Sequence, residues 1–238
     1  MPIYTIKLLK KETVANGTMA FEWEKPAGFN YVPGQFCDIT LIDPPQTDQE
    51  GNTRGFSFIT APYENKLKTA TRMRDTAFKR VLKSLPEGTQ VKLDAPYGDF
   101  RLHKTSTTPA VFLIGGIGIT PVRSIIAQAT HDKLPHSITL LYSNKTVADA
   151  AFTADFERFA SENKNFKFVP VYNEAPVGGK PGEVGFIDAK MLKKYVPDVT
   201  VPIYYLSGPA GMVKAMRQML VAAGANEDNI RTEEFSGY

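Results

Sequence analysis

The feature that most constrains the fold is an unbroken apolar run that leads directly into a glycine-rich loop. The run is Ala110–Ile114, and the loop 115–118 reads Gly-Gly-Ile-Gly. Thr120 and Pro121 follow, and we predict a helix that starts there with Thr120 as its N-cap. A continuous apolar strand that a short loop joins to a helix is typical of a parallel sheet with helices on both faces.

The same alternation continues along the second half, whereas the first half differs. We predict further strands at 138–142, 167–172 and 203–206, and helices at 154–160, 189–195 (with Asp188 as N-cap) and 211–223. In residues 1–105, short β-rich runs alternate with turn residues and one helix at about 76–85, which is typical of antiparallel barrels and sandwiches. We therefore predict two domains, an antiparallel β-barrel over residues 1–105 and an α/β domain with a parallel sheet over residues 106–238.

Composition limits the classes of function. The formal net charge of +3 gives no support to nucleic-acid binding, and the single Cys37 excludes a disulfide or a cysteine-ligated iron–sulfur centre within the chain. The three histidines lack metal-type spacing, so we predict no metal site. No 18-residue apolar run or apolar leader occurs, and we expect a cytoplasmic protein without a membrane segment.

Basic residues concentrate in the segment 66–83. Such a concentration suits phosphate binding or an acidic partner protein. An ordinary solvated face is an equally good interpretation from composition alone.

A second strand-to-helix loop begins at Ser207, where Ser-Gly-Pro-Ala-Gly-Met follows the apolar strand 203–206. Because the carboxyl ends of parallel strands lie at one edge of a sheet, we expect this loop and the loop 115–118 to border one crevice that suits a dinucleotide. Each loop alone is equally compatible with a tight strand–helix connection.

The third motif lies in the β-rich half and reads Arg54-Gly55-Phe56-Ser57. A cation, an aromatic ring and a hydroxyl within one strand suit a flat, anionic ligand that accepts hydrogen bonds. A bare tetrapeptide of this kind also occurs on exposed strands that bind nothing.

Together these motifs resemble the ferredoxin–NADP reductase superfamily, whose members transfer electrons between flavins and pyridine nucleotides. Six segments follow the family order: Pro33–Phe36, Arg54–Ser57, Pro96–Phe100, residues 115–121, Ser207–Met212 and a final Glu-Glu-Phe-Ser-Gly-Tyr. The resemblance covers essentially the whole chain. It implies a flavin-binding barrel followed by a nucleotide-binding α/β domain.

In the barrel, the resemblance implies a set of contacts with FAD. Arg54 corresponds to the arginine that pairs with the flavin phosphates, with Gly55 beside it, and Ser57 to the residue that approaches flavin N5. Phe56 stands where the family usually has tyrosine, so it can line the flavin ring without supplying a hydroxyl. Further flavin contacts are expected from Arg72, Met73, Arg74, Thr76 and Lys79.

In the α/β domain, the resemblance implies contacts with the nicotinamide dinucleotide. The expected pyrophosphate cradle is Gly116, Gly118, Thr120 and Pro121. Ser207, Gly208 and Pro209 match the family's Cys-Gly-Pro segment beside the reacting nicotinamide, with serine in place of cysteine.

The carboxyl-terminal residues resemble the tail that covers the flavin in this family. Phe235 matches the covering ring, and Glu233 matches the carboxylate two residues before it. Tyr238 is an alternative cover, and a frayed polar tail is the alternative to both.

The type of dinucleotide depends on the residues after strand 138–142. Sites for NAD often present a carboxylate to the adenosine ribose. Here Ser143, Asn144 and Lys145 offer a hydroxyl, an amide and a cation, and the next acid along the chain is Asp149. This composition favours NADP(H) over NAD(H).

The expected function is hydride transfer between NADPH (or NADH) and FAD, with Ser57, Ser207, Glu233 and Phe235 around the reacting atoms. Electrons would pass to a separate acceptor such as ferredoxin or flavodoxin, and the basic segment 66–83 favours an acidic carrier. Two alternatives remain open. One is a reductase of free flavin or ferric chelates, and the other is a nucleotide-responsive regulatory subunit without turnover.

Overall fold

The computed structural model describes residues 3–175 and 181–235. Its first half contains six strands and one helix of eight residues. These are β1 (Ile3–Ala15), β2 (Thr18–Trp23), β3 (Phe36–Leu41), β4 (Thr53–Ser57), β5 (Leu67–Arg72), α1 (Ala77–Ser84) and β6 (Gln90–Tyr97). All strand pairs are antiparallel, in the order β4-β3-β6-β1-β2-β5.

The first sheet curls into a barrel. Phe58, immediately after β4, forms an isolated bridge with Thr69 of β5, which brings the two edge strands together. The interior is filled by buried side chains that include Phe21, Trp23 and Phe58. Burial of such aromatic residues is the main contribution to the stability of a core of this type.

The second half is a parallel sheet with helices. Its elements are β7 (Ala110–Gly115), α2 (Ile119–His131), β8 (Ile138–Asn144), α3 (Thr153–Glu162), β9 (Phe166–Tyr172), β10 (Glu183–Val184), α4 (Ala189–Tyr195), β11 (Ile203–Pro209), α5 (Ala210–Ala222) and β12 (Ile230–Phe235). The strand order is β10-β9-β8-β7-β11-β12, and every pair is parallel.

The helices cover both faces of this sheet. Ile125 of α2 and Phe156 of α3 belong to the core on one face, whereas Leu192 of α4 and Val213 of α5 belong to the core on the other. The predicted architecture, an antiparallel barrel followed by a parallel α/β unit, is confirmed. The predicted boundary at residues 105 and 106 falls in the segment that connects β6 to β7.

Three details differ from the prediction. The start of α2 is wrong, because a 3₁₀ turn at Gly116–Gly118 runs directly into the helix and makes Gly118 its N-cap instead of Thr120. The helix therefore begins two residues earlier than predicted, and Gly116 at the start of the turn has a φ of 51°, which glycine adopts without strain. Strands β10 and β12 were not predicted, and the alternative of a frayed tail is wrong as far as residue 235, since β12 pairs with β11.

Candidate functional site

A cavity of about 550 Å³ is lined by residues from both halves of the chain. Most of its lining was predicted from the sequence as flavin contacts: Arg54, Gly55, Phe56, Ser57, Arg72, Arg74, Thr76, Lys79, Glu233 and Phe235. Sequence reasoning missed the remaining lining residues, which are Phe36, Glu50, Ala70, Thr71, Ile117 and Glu234.

One part of the cavity concentrates positive charge at the start of α1. The N-cap Thr76 accepts a hydrogen bond from the backbone N–H of Lys79, and the Lys79 ammonium donates to the carbonyl of Arg72 at 2.7 Å. Burial lowers the pKa of Lys79, and the neighbouring guanidinium groups of Arg74 and Arg54 lower it further. These positive charges repel one another, and an anion that binds among them would relieve the repulsion.

Arg54 lines the cavity, but its guanidinium is engaged by its own loop. One terminal nitrogen lies 2.9 Å from the carboxylates of Asp48 and Glu50. The other donates to the carbonyls of Glu50, Gly51 and Thr53 at 2.8–3.1 Å. A ligand phosphate that binds Arg54 must therefore compete with two acidic side chains.

Strands β4 and β5 each contribute consecutive residues to the lining of the cavity. Phe56 and Ser57 are buried at its wall, and Phe56 lies 5.9 Å from the ring of Phe78 on α1. Met73 differs from its prediction, because its half-buried side chain packs against the barrel core instead of lining the cavity. It directly follows β5, and its backbone N–H donates to the carbonyl of Gly17.

The second part of the site is the crevice where the strand order of the parallel sheet reverses. Strands β7 and β11 are neighbours, although β8 and β9 continue on one side of β7 and β12 lies beyond β11. Ligands of open parallel α/β sheets bind at such a point, outside the carboxyl ends of the strands. The loop 115–118 and the segment Ser207-Gly208-Pro209 both end there, as predicted.

The glycines of the two loops allow the backbones to touch each other. A Cβ atom on Gly118 would lie 2.5 Å from the carbonyl carbon and oxygen of Ser207 and 2.6 Å from the amide nitrogen of Gly208. Gly208 has a φ of 150°, and a Cβ there would lie 3.0 Å from the carbonyl oxygen of Gly115. A side chain at either glycine would therefore push apart the backbones of these two loops, which follow the paired strands β7 and β11.

Thr120 and Pro121 do not offer their side chains to this crevice. Both are buried in the first turn of α2, and the Thr120 hydroxyl donates to the carbonyl of Ile117 at 3.0 Å. Their side chains are therefore in a position to shape the loop, and a contact of either residue with a pyrophosphate stays a prediction. Tyr238, the alternative cover of the flavin, lies outside the described residues.

Several buried polar atoms at the carboxyl edge lack hydrogen-bond partners within residues 3–175 and 181–235. They include the Ser207 hydroxyl, both amide atoms of Asn144 and Oε2 of Glu233. Ser207 and Glu233 are register partners on β11 and β12. Because unpartnered buried polar atoms are costly in a native structure, their presence at this edge indicates a site for a polar ligand.

Glu233 has the largest shift among the carboxyl groups of the site. Burial raises its pKa to about 7, with a smaller contribution from the charge of Asp99. The side chain is therefore protonated over part of the neutral pH range. A buried carboxyl group of this kind holds a proton at the wall of the cavity.

The residues predicted to choose between dinucleotides lie at the carboxyl end of β8. Ser143 is half-buried and Asn144 is buried, whereas Lys145 is exposed. The Lys145 ammonium lies 3.5 Å from the carboxylate of Glu174, which follows the neighbouring strand β9. The sequence pattern missed this acid because it lies 29 positions further along the chain.

The basic segment 66–83 does not form one continuous patch. Lys66 and Lys68 pair with Glu22, and Lys68 also pairs with Glu12. Arg80 pairs with Asp75. Arg72, Arg74 and Lys79 line the cavity instead. Much of the predicted basic surface is thus paired or turned toward the ligand site.

The family model for the oxidoreductase NAD-binding domain matches residues 112–218, which contain the crevice and both glycine loops. Residues 112–218 are therefore similar to this NAD-binding domain, and the fold of the whole chain is that of ferredoxin–NADP reductase-like structures.

Two solved structures share this fold over nearly the whole chain. The FAD/NAD-binding domain of nitric oxide dioxygenase from Vibrio cholerae superposes with a TM-score of 0.83 at 20% identity, covering 97% of this chain and 98% of that one. A ferredoxin NADP+ reductase from Neisseria gonorrhoeae with bound FAD and NADP superposes with a TM-score of 0.80 at 20% identity, covering 98% of each chain.

Curated relatives are longer than this chain. One Na(+)-translocating NADH-quinone reductase subunit, of Methylococcus capsulatus, is 32% identical over 159 residues, which is 65% of this chain and 39% of that protein. The glycine betaine monooxygenase reductase subunit of Chromohalobacter salexigens is 26% identical over 231 residues, 94% of this chain and 61% of that protein. Across residues 3–175 and 181–235, no helix is long and apolar enough to cross a membrane.

Proposed function

We propose that the protein is a flavin-dependent oxidoreductase that takes electrons from a nicotinamide dinucleotide and passes them to a separate acceptor. The observation that carries the proposal is a single cavity that joins three elements. The barrel supplies cations at Arg72, Arg74 and Lys79. The glycine loop 115–118 supplies Ile117, and β12 supplies Phe235. A flavin dinucleotide needs the cations for its phosphates, and its electron donor has to approach from the crevice.

The residues of the cavity fit FAD. Its volume of about 550 Å³ is within the range of cofactor sites. Arg74, Lys79 and the start of α1 at Thr76 would hold the pyrophosphate, while Phe56 and Ser57 would face the ring. FAD would supply the redox chemistry, and the protein would supply binding, orientation and electrostatics.

Four side chains would act around the reacting atoms. Ser57 presents a hydroxyl at the cavity wall, and Phe235 forms part of the opposite lining from β12. Ser207 offers a buried hydroxyl that is free to bond a ligand, and its register partner Glu233 holds a proton at pH values below about 7. These groups orient ligands, exclude water and position a proton.

We further propose that the protein accepts both NADPH and NADH. Ser143 and Lys145 favour the 2′-phosphate of NADPH, as the sequence predicts. Glu174 opposes this preference, because its carboxylate pairs with Lys145 and suits the free ribose diol of NADH. The names of the relatives include both an NADH-quinone reductase and a ferredoxin NADP+ reductase.

The two residues predict opposite shifts in dinucleotide preference. Glu174→Gln should raise the ratio of kcat/KM for NADPH over NADH, and Lys145→Gln should lower it, each by roughly fivefold for an exposed pair. Steady-state kinetics with both dinucleotides measures the ratio. Equal ratios in all three proteins would place the selection elsewhere.

The acceptor is proposed to be a separate protein or subunit, such as ferredoxin or flavodoxin. Both curated relatives are named as subunits, one of an NADH-quinone reductase and the other the reductase subunit of a monooxygenase, which supports a partner over a diffusing flavin. Arg101 and Lys104, between β6 and β7, add exposed or half-exposed basic groups to those in the segment 66–83. An acidic carrier remains the proposed partner.

The central test is anaerobic reduction of the purified protein. We expect a yellow protein that retains FAD through gel filtration and is bleached by NADPH or NADH. Steady-state turnover with ferredoxin, flavodoxin, free flavin and ferric chelates then ranks the acceptors. Two results would overturn the proposal in favour of a regulatory role. One is a colourless protein that does not bind added FAD, and the other is bound FAD that neither dinucleotide bleaches.

A further inference from the structure

Arg123 of α2 is buried, with 8% of its surface exposed, although it carries a full charge. Its guanidinium donates to both carboxylate oxygens of Glu64, at 2.7 and 3.0 Å, and to the carbonyl of Ile59 at 2.9 Å. Its Nε donates to the carboxylate of Asp155 on α3 at 2.8 Å. One side chain thus joins two helices of the α/β half to the barrel half.

Neighbouring contacts reinforce the same junction. The hydroxyl of Ser124 donates to the carbonyl of Thr60 at 2.7 Å. The ring of Tyr63 stacks on His131 at the end of α2, with centroids 4.0 Å apart. Every barrel group in these contacts belongs to residues 59–64, so α2 is attached along its length to one short segment.

This segment is directly connected to both parts of the candidate site. Ser57 precedes Ile59 by two residues, and Ile59 belongs to a buried cluster against which Ile117 of the glycine loop packs. The same loop leads directly into α2 and hence to Arg123. Arg123 is therefore connected both to the barrel segment that follows the cavity wall and to the loop that borders the dinucleotide crevice.

We propose, on the basis of the proposed function, that Arg123 is a positioning residue that sets the geometry between flavin and dinucleotide. A planar guanidinium can bind Glu64 with two parallel hydrogen bonds while it still reaches Ile59 and Asp155, whereas a lysine ammonium lacks this fork. A buried ion network is expensive to desolvate and often adds little net stability, and we infer that this one serves to specify an orientation.

The test compares Arg123→Lys with Arg158→Lys in the FAD-loaded protein. Arg158 is a matched control, since it also pairs with Asp155 and lies over the ring of Phe159. Among residues 3–175 and 181–235, its hydrogen bonds and ion pairs are with residues of α3. Anaerobic stopped-flow gives the limiting rate of flavin reduction and the dissociation constant of the dinucleotide separately. Absorbance gives the FAD content and the long-wavelength band of stacked flavin and nicotinamide.

We expect Arg123→Lys to retain FAD and to bind the dinucleotide normally. Its limiting rate of flavin reduction should fall by about 10- to 100-fold, because small misplacements of reacting groups slow a reaction by such factors. Its stacking band should weaken as well. Arg158→Lys should behave as wild type. A lower melting temperature of Arg123→Lys with an unchanged limiting rate and band would show that Arg123 only stabilises the fold and would overturn the proposal.

A second measurement separates this proposal from the proposed function. Lys92 on the barrel and Lys193 on α4 are exposed, and both can be replaced by cysteine for spin labelling while Cys37 stays buried. We expect a broader or shifted distance distribution in Arg123→Lys than in wild type. If wild type is never reduced by either dinucleotide, the proposed function fails. An unchanged distance distribution refutes the positioning role in either case.

Discussion

The cavity between the two halves is lined mainly by side chains, whereas the crevice between β7 and β11 is bordered by two backbones that lie close together. Arg72 at the end of β5, Arg74 in the following turn and Lys79 in the first turn of α1 all reach the cavity. In the crevice, the backbone of Ser207 and Gly208 lies where a side chain of residue 118 would be, and the backbone of Gly115 lies close to Gly208. Each substitution in the cavity should therefore change the affinity for FAD by a limited amount. Substitutions in the crevice should instead disrupt the edge of the parallel sheet.

Gly118→Ala should have the largest effect, because its new Cβ atom would lie 2.5 Å from backbone atoms of Ser207. The backbones must separate, which we expect to cost on the order of 3 kcal/mol of unfolding free energy. Flavin reduction by either dinucleotide should fall by about 100-fold, since the crevice changes width. Thermal unfolding and anaerobic stopped-flow measure the two effects.

Gly211→Ala is the matched control for this substitution. Gly211 lies in the first turn of α5, and a Cβ atom there meets nothing within 4 Å. Alanine favours a helix over glycine by up to about 1 kcal/mol, so this variant should be as stable as wild type or more so. If Gly118→Ala also behaved like wild type, the backbone contact would not define the crevice.

The same contrast explains how much the sequence could predict. Arg54, Ser57, Thr76 and Lys79 line the cavity as expected, and each was assigned through the resemblance of a short local motif. Met73 was assigned through the same resemblance, which did not show that its side chain packs against the barrel core.

Contacts between distant segments were beyond the local pattern. Gly118 and Ser207 are 89 positions apart, and the sequence shows a glycine at each loop without showing that the loops touch. Glu174 reaches Lys145 only because β8 and β9 are parallel neighbours. Arg123 and Glu64 likewise carry no motif that pairs them, although a charged residue inside an otherwise apolar helical face was a usable signal.

Glu233 lies where the two regions meet, and its raised pKa predicts a dependence of stability on pH. The unfolded chain releases this proton near pH 4.5, whereas the folded protein keeps it until about pH 7. Stability that is present below pH 4.5 is therefore lost as pH rises through 7, by roughly 2 kcal/mol between pH 5 and pH 8.

Glu233→Gln should lack this contribution. The difference in unfolding free energy between wild type and Glu233→Gln, measured with urea at pH 5 and pH 8, should change by that amount in favour of the variant at pH 8. A difference that stays constant with pH would mean that Glu233 is solvated and ionised in the folded protein.

Lys79→Met tests the cavity through a single charge. The Lys79 ammonium lies among Arg54 and Arg74, at the start of α1, where a phosphate would gain from it. Its loss should weaken FAD binding by about tenfold, which corresponds to about 1.4 kcal/mol. Lys83→Met removes the same charge from the exposed last turn of α1 and should leave the affinity unchanged. Fluorescence titration of the flavin-free protein measures both, and equal losses would indicate a long-range charge effect instead of a site.

Glu50→Gln should have the smallest effect and the opposite sign. The Glu50 carboxylate pairs with Arg54 at 2.9 Å while 75% of its side chain is exposed, so it competes with a phosphate for a cation that lines the cavity. Exposed pairs are worth less than about 1 kcal/mol, and FAD should therefore bind about threefold more tightly to the variant. The gain should shrink at high salt because the competing charge is screened.

Glu87→Gln, which removes an exposed acid outside the cavity, is the control for net charge. Weaker FAD binding by Glu50→Gln would mean that Glu50 holds Arg54 in place for the ligand. The loop 48–53 would then be a preformed part of the FAD site.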